Sequence, residues 1–250
     1  MNKELHLCVV MSDSYFPIYQ KIFNRTLPKE FDSVNILHIR DHNSLPGLVG
    51  ERNFKAINYK KLEFVSKLMF THEGDNLLVL DVDIVCFSEL KNEINSLLEN
   101  YDMVFQRMPD NHKVMPYGIG VWGLQCSKKN MIFLAKEVLP RAEALKLSKE
   151  MWDQLHSTGR PVPEKWFHYL NGKQEYYDGD QCVINAALLE SELGKDINVQ
   201  LLPSTYATDN VAPKDSTSYK LYHATTSGQT VEEKATTLVN VYENIKRKIE

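Results

Sequence analysis

The sequence predicts a single α/β domain in which helices flank a Rossmann-like, mostly parallel sheet. Short apolar runs alternate along the chain with longer amphipathic stretches, which is typical of strands joined by crossover helices. A length of 250 residues suits one such domain with a substantial core. No internal repeat and no Pro/Gly/Ser-rich linker interrupts the sequence, so we expect one domain rather than two.

The first half of the chain has a β-α-β-α-β-α-β pattern. Its third apolar run, residues 76–87, is apolar on both faces, as in the centre of a parallel sheet. Ser12 and its neighbours can cap the first helix, and the Pro and Gly of 41–50 indicate a loop. The predicted order is strand 5–10, helix to about residue 26, strand 33–40, helix 51–71, strand 76–87, helix 89–100 and strand 102–107.

The second half of the chain is less regular. Residues 118–126 fit another strand, whereas residues 148–177 are predicted to be irregular and are rich in aromatic side chains. Asp180 is a natural first residue for the helix that follows. The remaining predictions are a helix at 128–145, a helix at 180–193, strands at 198–203 and 219–228, and an amphipathic helix at 231–249.

The composition and charge of the chain argue against several classes of protein. A formal net charge of −4 without a basic arm gives no indication of nucleic-acid binding. The four cysteines show no CxxC spacing, which favours buried reduced thiols over disulfides or zinc ligands. The N-terminus lacks a signal-peptide pattern, and no apolar run approaches the about 18 residues of a membrane span. We therefore expect a soluble, cytoplasmic protein without a transmembrane segment.

Two aspartates interrupt the apolar run 76–87. Burying two carboxylates is costly unless something compensates for their charge. Asp81 and Asp83 come where the third strand ends, and residues two apart in an extended segment point to the same side. Ligands of α/β sheets bind at the carboxyl ends of strands, and carboxylate oxygens suit a divalent cation. The pair is therefore predicted to bind a metal; the alternative is a turn in which both carboxylates cap backbone amides.

This run resembles a motif in two enzyme families of different reaction class. One is the Asp-x-Asp motif of GT-A glycosyltransferases, in which the pair holds manganese against the diphosphate of a nucleotide sugar. The other is the first motif of haloacid-dehalogenase-like phosphatases, in which Asp81 would be the phosphoryl-accepting nucleophile and Asp83 the acid/base. The phosphatase motif normally ends the first strand of its domain, whereas two βα units precede this one. We therefore favour the glycosyltransferase.

Further short segments are similar to glycosyltransferase families 8 and 77. The resemblance covers roughly residues 5–228. It implies that Lys61, standing where the family has an arginine, reaches the donor phosphate or sugar. It also implies that Asp180 and Gln181 lie beside the reacting sugar and that His223 completes the metal site with the two aspartates. The other implied donor contacts are Ser12, Asp13 and Tyr15 for base or ribose, Val82 within the metal motif, and Gly118 where backbone approaches the sugar.

The sequence also departs from the family pattern in three places. Cys182 replaces the second aspartate of the Asp-Gln-Asp segment, and the asparagine of the family's Asn-x-Gly stretch is absent, with Tyr117 or Gly118 in its place. The Gly and Lys that usually follow the metal histidine within a few residues are not at their expected positions after His223. These departures weaken the assignment to one family more than they weaken the metal motif itself.

The resemblance implies a GT-A fold and a metal-dependent hexosyltransferase. Such an enzyme would use Mn²⁺ or Mg²⁺ to move a sugar from a nucleoside-diphosphate sugar, in the first instance a UDP-sugar, to the hydroxyl of a glycan or other acceptor with retention. An inverting enzyme could instead use Asp178 or Asp180 as base. Residues 1–107 would bind the nucleotide, 108–230 the sugar and acceptor, and 231–250 would form a tail helix. The alternatives are the phosphatase and a non-catalytic domain that binds nucleotides or glycans.

Overall fold

The protein is built around a six-stranded sheet with the strand order β2-β1-β3-β6-β5-β9. β1 (Leu5–Ser12) lies parallel to β2 (Ser33–Ile39) and to β3 (Asn76–Leu80). β6 (Tyr117–Gln125) runs antiparallel to β3 and to β5 (Met103–Arg107). The computed structural model describes residues 3–40, 52–108, 115–147, 149–158, 162–170, 173–208, 218–225 and 230–249.

The predicted α/β class with a mostly parallel central sheet is confirmed. β9 (Val199–Leu201) pairs in parallel with β5, so β6 is the strand that runs against the others. Every residue of β1 and of β3 is buried, which explains why both strands read as continuous apolar runs. Strands covered on both faces leave only their ends open to a ligand, and this directs attention to the carboxyl ends of β1 and β3.

The apolar run 76–87, predicted as one strand, is in fact two strands in different sheets. β3 ends at Leu80, and β4 (Ile84–Cys86) joins a second sheet of order β10-β11-β4. β10 (Tyr206–Thr208) pairs in parallel with β11 (Leu221–His223), and β11 pairs antiparallel with β4. The chain changes sheet through residues 81–83, because two carboxylates at this point do not fit the buried interior of either strand.

Helices cover the sheet largely as the periodicity predicts. The first helix is irregular, with four consecutive pieces between residues 13 and 26. The helix Arg52–Thr71, called here the Lys61 helix, buries Leu62, Val65 and Met69 in the core. The other helical segments are Lys91–Leu98, the run of four pieces between 128 and 146, Lys149–Ser157, Glu164–Trp166, Asp180–Glu190, Glu192–Lys195 and Val231–Ile249.

Residues 148–177, predicted as irregular, contain regular structure. The helix Lys149–Ser157 is followed by an antiparallel hairpin of β7 (Phe167–Leu170) and β8 (Lys173–Tyr176). The many aromatic residues obscured the alternation from which a strand is predicted. The predicted loop 41–50 lies outside the described residues. No helix among the described residues is long and apolar enough to cross a membrane.

Two helices complete the surroundings of the strand ends. Asp180–Glu190, called here the Asp180 helix, contacts β6 and the Lys61 helix. Val231–Ile249, called here the last helix, packs against the first helix and β4 through Val231, Ala235 and Leu238. The carboxyl ends of β1 and β3 are thus enclosed by elements that are far apart in the sequence.

Candidate functional site

A cavity of about 430 Å³ opens at the carboxyl ends of β1 and β3. Ten of the eleven residues predicted for the site line this cavity. The exception is Asp13, which is exposed and pairs with His38 instead, at 2.8 Å between Oδ1 and Nε2. The residues that the fold brings together are Ser12, Tyr15, Lys61, Asp81, Val82, Asp83, Gly118, Asp180, Gln181 and His223.

Asp81, Asp83 and His223 form a compact set of metal-ligand atoms. One ligand atom from each residue lies within 4.8 Å of the other two. His223 Nε2 is 3.3 Å from Asp83 Oδ1 and 3.9 Å from Asp81 Oδ2. Two carboxylates and one imidazole suit a hard or borderline divalent ion such as Mn²⁺. The pairing of β11 with β4 brings the histidine to the aspartates, since His223 stands opposite Ile84.

The Lys61 side chain bridges two carboxylates on the opposite side of the cavity. Its Nζ lies 2.6 Å from Asp81 Oδ1 and 3.1 Å from Asp180 Oδ2. Burial alone would lower the pKa of Lys61, but the two aspartates outweigh burial and raise it above its usual range. Burial is also the main reason that the pKa of Asp180 is raised, although Lys61 opposes that shift. Lys61 is therefore a fixed positive charge between the metal-ligand set and the start of the Asp180 helix.

Lys234, on the last helix, was not predicted as a site residue. Its Nζ lies 2.7 Å from Asp83 Oδ2 and also faces the ring of Tyr15, with 5.8 Å to the ring centroid. Burial would raise the pKa of Asp83, but the Lys234 ammonium group outweighs burial, and the pKa lies well below its usual range. The resemblance noted in the sequence implies a lysine a few residues after His223, whereas here the last helix brings Lys234 to Asp83.

The side chains that line the cavity carry an excess of negative charge that a divalent cation can neutralise. Two lysines, Lys61 and Lys234, face four aspartates: Asp81, Asp83, Asp178 and Asp180. With the histidine counted as neutral, the formal net charge of these side chains is −2, which one divalent ion would neutralise. The donor set, its spacing and this excess of negative charge fit a bound metal.

Two backbone carbonyls enter the site through an irregular part of β6. β5 and β6 shift register here, because Phe105 pairs with Trp122 while Gln106 pairs with Gly118. Gly120 O accepts a hydrogen bond from Asp81 N at 2.9 Å, and Ile119 O accepts one from Lys61 Nζ at 3.4 Å. Bulges redirect backbone groups in this way beside many active sites.

The second glycine of this irregular stretch is needed for close packing. A Cβ on Gly120 would overlap the imidazole ring of His223. At Gly118 an added Cβ would meet Met108 Sδ, in a flexible side chain, at 3.0 Å and the backbone Gln106 O at 3.1 Å. The sequence predicted that the missing side chain matters at Gly118. Of these two glycines, however, Gly120 leaves less space for a side chain.

The Asp180 helix is attached to β6 by a single buried asparagine. Asn185 Nδ2 donates to Tyr117 O and to Gln181 O, each at 2.8 Å, and Asn185 Oδ1 accepts from Tyr117 N at 3.1 Å. This explains why an asparagine stands five residues after Asp180. Cys182, which replaces the family's second aspartate, donates through Sγ to Asp178 Oδ1 at 2.8 Å.

The end of β1 also contributes residues to the lining of the cavity. Ser12 Oγ and Ser14 Oγ are 2.7 Å apart, so Ser12 does not cap the first helix with its side chain as predicted. Tyr15 is partly buried, and burial together with nearby Asp83 raises the pKa of its hydroxyl. The sequence also gave no indication of Gln106, whose buried side chain contacts His223 Nδ1 at 2.9 Å.

Several solved structures are distantly similar to this chain. A glycosyltransferase involved in glycosylation of the major capsid of PBCV-1 is 12% identical, with a TM-score of 0.49, over 95% of this chain and 99% of that one. The galactosyltransferase LgtC, in complex with donor and acceptor sugar analogues, is 12% identical, with a TM-score of 0.49, over 96% and 95%. The glycosyltransferase GlyE of Streptococcus pneumoniae TIGR4 is 10% identical, with a TM-score of 0.44, over 97% and 64%. No family model and no curated protein sequence matches the chain.

Proposed function

We propose that this protein is a metal-dependent glycosyltransferase that uses a nucleoside-diphosphate sugar as donor. The observation that carries the proposal is the convergence of Asp81, Asp83 and His223, with ligand atoms within 4.8 Å of one another, at the carboxyl ends of β1 and β3. Lys61 and Lys234 flank this set on its two sides. Metal ligands between two lysines suit a diphosphate better than any uncharged ligand.

The diphosphate end of the donor is assigned to the metal-ligand set and the two lysines. Asp81, Asp83 and His223 would hold Mn²⁺ or Mg²⁺, which supplies Lewis-acid stabilisation of the departing diphosphate. Lys61 is kept charged by its two aspartates and would add a fixed positive charge to the same leaving group. Lys234 can turn from Asp83 to a phosphate oxygen once a metal shares that carboxylate.

The sugar end of the donor is assigned to the start of the Asp180 helix. Asp180 and Gln181 line the cavity beside Lys61, and Asn185 fixes that end of the helix against β6. A carboxylate and an amide there can steady positive charge that develops at the anomeric carbon. Retention of configuration is taken from the resemblance to families 8 and 77 alone.

The nucleoside end is assigned to the exit of β1. Ser12 and Tyr15 line the cavity on the side of Lys234, and Val82 and Gly118 provide its walls. Asp13 points to His38 and is assigned to the rim, where it can reach a ribose hydroxyl only if that ion pair opens. A UDP-sugar is the first donor to test, and the acceptor is a hydroxyl of a glycan or another molecule.

The test is a thermal-shift and hydrolysis panel of UDP- and GDP-sugars with and without Mn²⁺. We expect a nucleoside diphosphate to raise the melting temperature only when Mn²⁺ is present, and slow release of UDP or GDP from one donor. Asp83→Asn should abolish both effects. Lys248→Met, at the exposed end of the last helix, is the matched control and should leave both unchanged.

Other outcomes would decide against the transferase. Hydrolysis of p-nitrophenyl phosphate with Mg²⁺, lost in Asp81→Asn, would identify the phosphatase. Metal-dependent binding of UDP without turnover of any donor would identify a non-catalytic binding domain. If no nucleoside diphosphate stabilises the protein and Asp83→Asn changes nothing, the proposal is wrong.

A further inference from the structure

We infer that Gln106 is a positioning residue that fixes the tautomer of His223 and so makes Nε2 of that histidine the metal ligand. The inference rests on the metal site of the proposed function. It concerns a residue outside the ligand set, because Gln106 touches neither aspartate in the hydrogen bonds described and acts through the imidazole.

The orientation of the Gln106 amide is determined by its surroundings. Gln106 is 1% exposed, and its Nε2 donates to two backbone carbonyls, Tyr206 O and Ala207 O, each at 3.2 Å. The opposite orientation would place the amide oxygen against two carbonyl oxygens, with no donor between these three acceptors. The oxygen Oε1 must therefore face His223 Nδ1, 2.9 Å away.

This orientation determines which ring nitrogen of His223 carries hydrogen. Oε1 can only accept, so Nδ1 must donate. In the neutral ring, Nε2 then presents a lone pair 3.3 Å from Asp83 Oδ1 and 3.9 Å from Asp81 Oδ2. Three acceptors at these distances repel one another unless a cation lies among them, and this is the arrangement that a metal requires.

Gln106 also connects the two sheets at the point where the metal ligands meet. It lies in β5 at the register shift of the central sheet, whereas its carbonyl partners belong to β10 of the second sheet. β10 is paired with β11, which carries His223. One side chain thereby sets both the position of the strand and the tautomer of the ring.

Two variants separate these roles. Gln106→Leu removes both the donors to the β10 carbonyls and the acceptor for His223 Nδ1. Gln106→Glu also removes the donors but keeps an acceptor oxygen for Nδ1. Both should lose thermal stability, so stability alone does not distinguish them. Only Gln106→Leu should lose the tautomer and, with it, metal affinity.

The tautomer is read by nitrogen-15 NMR of histidine-labelled, metal-free protein at mildly alkaline pH, with His223→Asn to assign the signal. Wild type and Gln106→Glu should show hydrogen on Nδ1, whereas Gln106→Leu should show a mixture or the Nε2–H form. Mn²⁺ affinity, measured by electron paramagnetic resonance with the metal alone, should fall about 10- to 100-fold in Gln106→Leu. In Gln106→Glu it should stay within a few-fold of wild type or tighten.

Two results would overturn the inference. One is an unchanged His223 tautomer in Gln106→Leu. The other is an equal loss of Mn²⁺ affinity in the two variants, which would make Gln106 a structural residue only. Failure of the proposed function looks different, because the wild type would then bind Mn²⁺ yet ignore every nucleotide sugar. If the wild type binds no Mn²⁺, the metal site and the inference are both wrong.

Discussion

Lys234 occupies the side of Asp83 on which a metal-bound diphosphate is proposed to lie. Its Nζ is 2.7 Å from Asp83 Oδ2, and the pair is largely buried. Burial alone would lower the pKa of Lys234, but Asp83 raises it above the usual lysine range, so the charge persists at neutral pH. In metal-free protein this lysine therefore neutralises a carboxylate that a metal would also need.

Lys234→Met should shift the balance between metal and nucleotide. Without the competing ammonium group, Mn²⁺ alone should bind more tightly than in wild type. UDP should bind more weakly in the presence of Mn²⁺, by about 1.5–3 kcal/mol for a lost hydrogen bond to a charged group, or roughly tenfold to a hundredfold.

Calorimetric titration of Mn²⁺ alone, then of UDP at saturating Mn²⁺, separates the two effects. Lys248→Met serves as the control for the loss of a positive charge from the same helix. Weaker binding of Mn²⁺ alone in Lys234→Met would contradict this account of the ion pair.

At the residue scale, the sequence predicted those site residues that belong to short motifs resembling a known family. Asp81, Asp83, His223 and Lys61 were predicted in this way, and all four line the same cavity, while their roles stay a prediction. Lys234 and Gln106 were not found, because each owes its role to contacts between distant segments. The last helix was predicted correctly, but its periodicity gives no indication of which lysine meets Asp83.

At the scale of secondary-structure elements, the irregular stretch of β6 has little space for added side-chain atoms. Gly120→Ala should disrupt the site, because the added Cβ overlaps the His223 ring, which must then turn or shift from its place beside the aspartates. Overpacking of this kind typically costs about 1–3 kcal/mol. Gly118→Ala meets only the end of Met108 and the Gln106 carbonyl, at 3.0 and 3.1 Å, and should be milder.

Chemical denaturation and Mn²⁺ binding of the two glycine variants provide the comparison. Gly120→Ala should lose both stability and Mn²⁺ affinity, and Gly118→Ala should keep most of its Mn²⁺ affinity. Equal effects of the two substitutions on Mn²⁺ binding would mean that the contact between Gly120 and His223 does not position the metal ligand.

The attachment of the Asp180 helix gives a second prediction at this scale. Asn185→Ala removes three hydrogen bonds and leaves Tyr117 N, Tyr117 O and Gln181 O without this partner. Each such hydrogen bond contributes about 0.5–1.5 kcal/mol net to stability. The free energy of unfolding should fall accordingly in urea denaturation.

Asn58→Ala is the matched control for Asn185→Ala. Asn58 is also buried, but its Nδ2 has no hydrogen-bond partner within the described part of the chain. Its replacement should therefore cost less stability than that of Asn185. An equal loss in both variants would show that the cavity left behind, rather than the hydrogen bonds, determines the cost.

Periodicity predicted most elements but not where one strand changes sheet. Residues 76–87 are apolar almost throughout, so no alternation marked the end of β3 at Leu80. The two aspartates were the signal, since neither fits a buried strand interior. The hairpin of β7 and β8 was missed for a related reason, because the aromatic residues concentrated in 148–177 hide any clear alternation of polar and apolar positions.

For the molecule as a whole, the site joins two sheets through oppositely charged groups, and stability should depend on pH for that reason. The folded pKa of Asp83 lies below its ordinary value of 3.8. A depressed pKa contributes stability above the unfolded value, and that contribution is lost as the pH falls through the folded pKa.

The free energy of unfolding of metal-free protein should therefore decrease as the pH falls below about 4. Asp83→Asn should have lower stability at neutral pH and a shallower decrease in acid. Urea denaturation over a pH series measures both slopes. Identical slopes for wild type and Asp83→Asn would contradict the assignment of Asp83 as a stabilised carboxylate.

The α/β class followed from the alternation of strands and helices. Because this pattern extends over the whole sequence, an error in one predicted element does not change the predicted class. The second sheet did not follow, because β4, β10 and β11 have three residues each and give almost no periodic signal. That small sheet nonetheless brings His223 to the aspartates. The part of the fold that is hardest to predict is therefore the part that completes the proposed metal site.

The central claim is that Asp81, Asp83 and His223 bind a divalent metal that holds a nucleoside diphosphate. The most direct measurement is an anomalous difference map from crystals soaked with Mn²⁺ and UDP. We expect one manganese peak within coordination distance of all three residues, with density for the diphosphate between the metal and Lys61. A map without manganese at these residues, or with UDP bound away from them, would contradict the central claim.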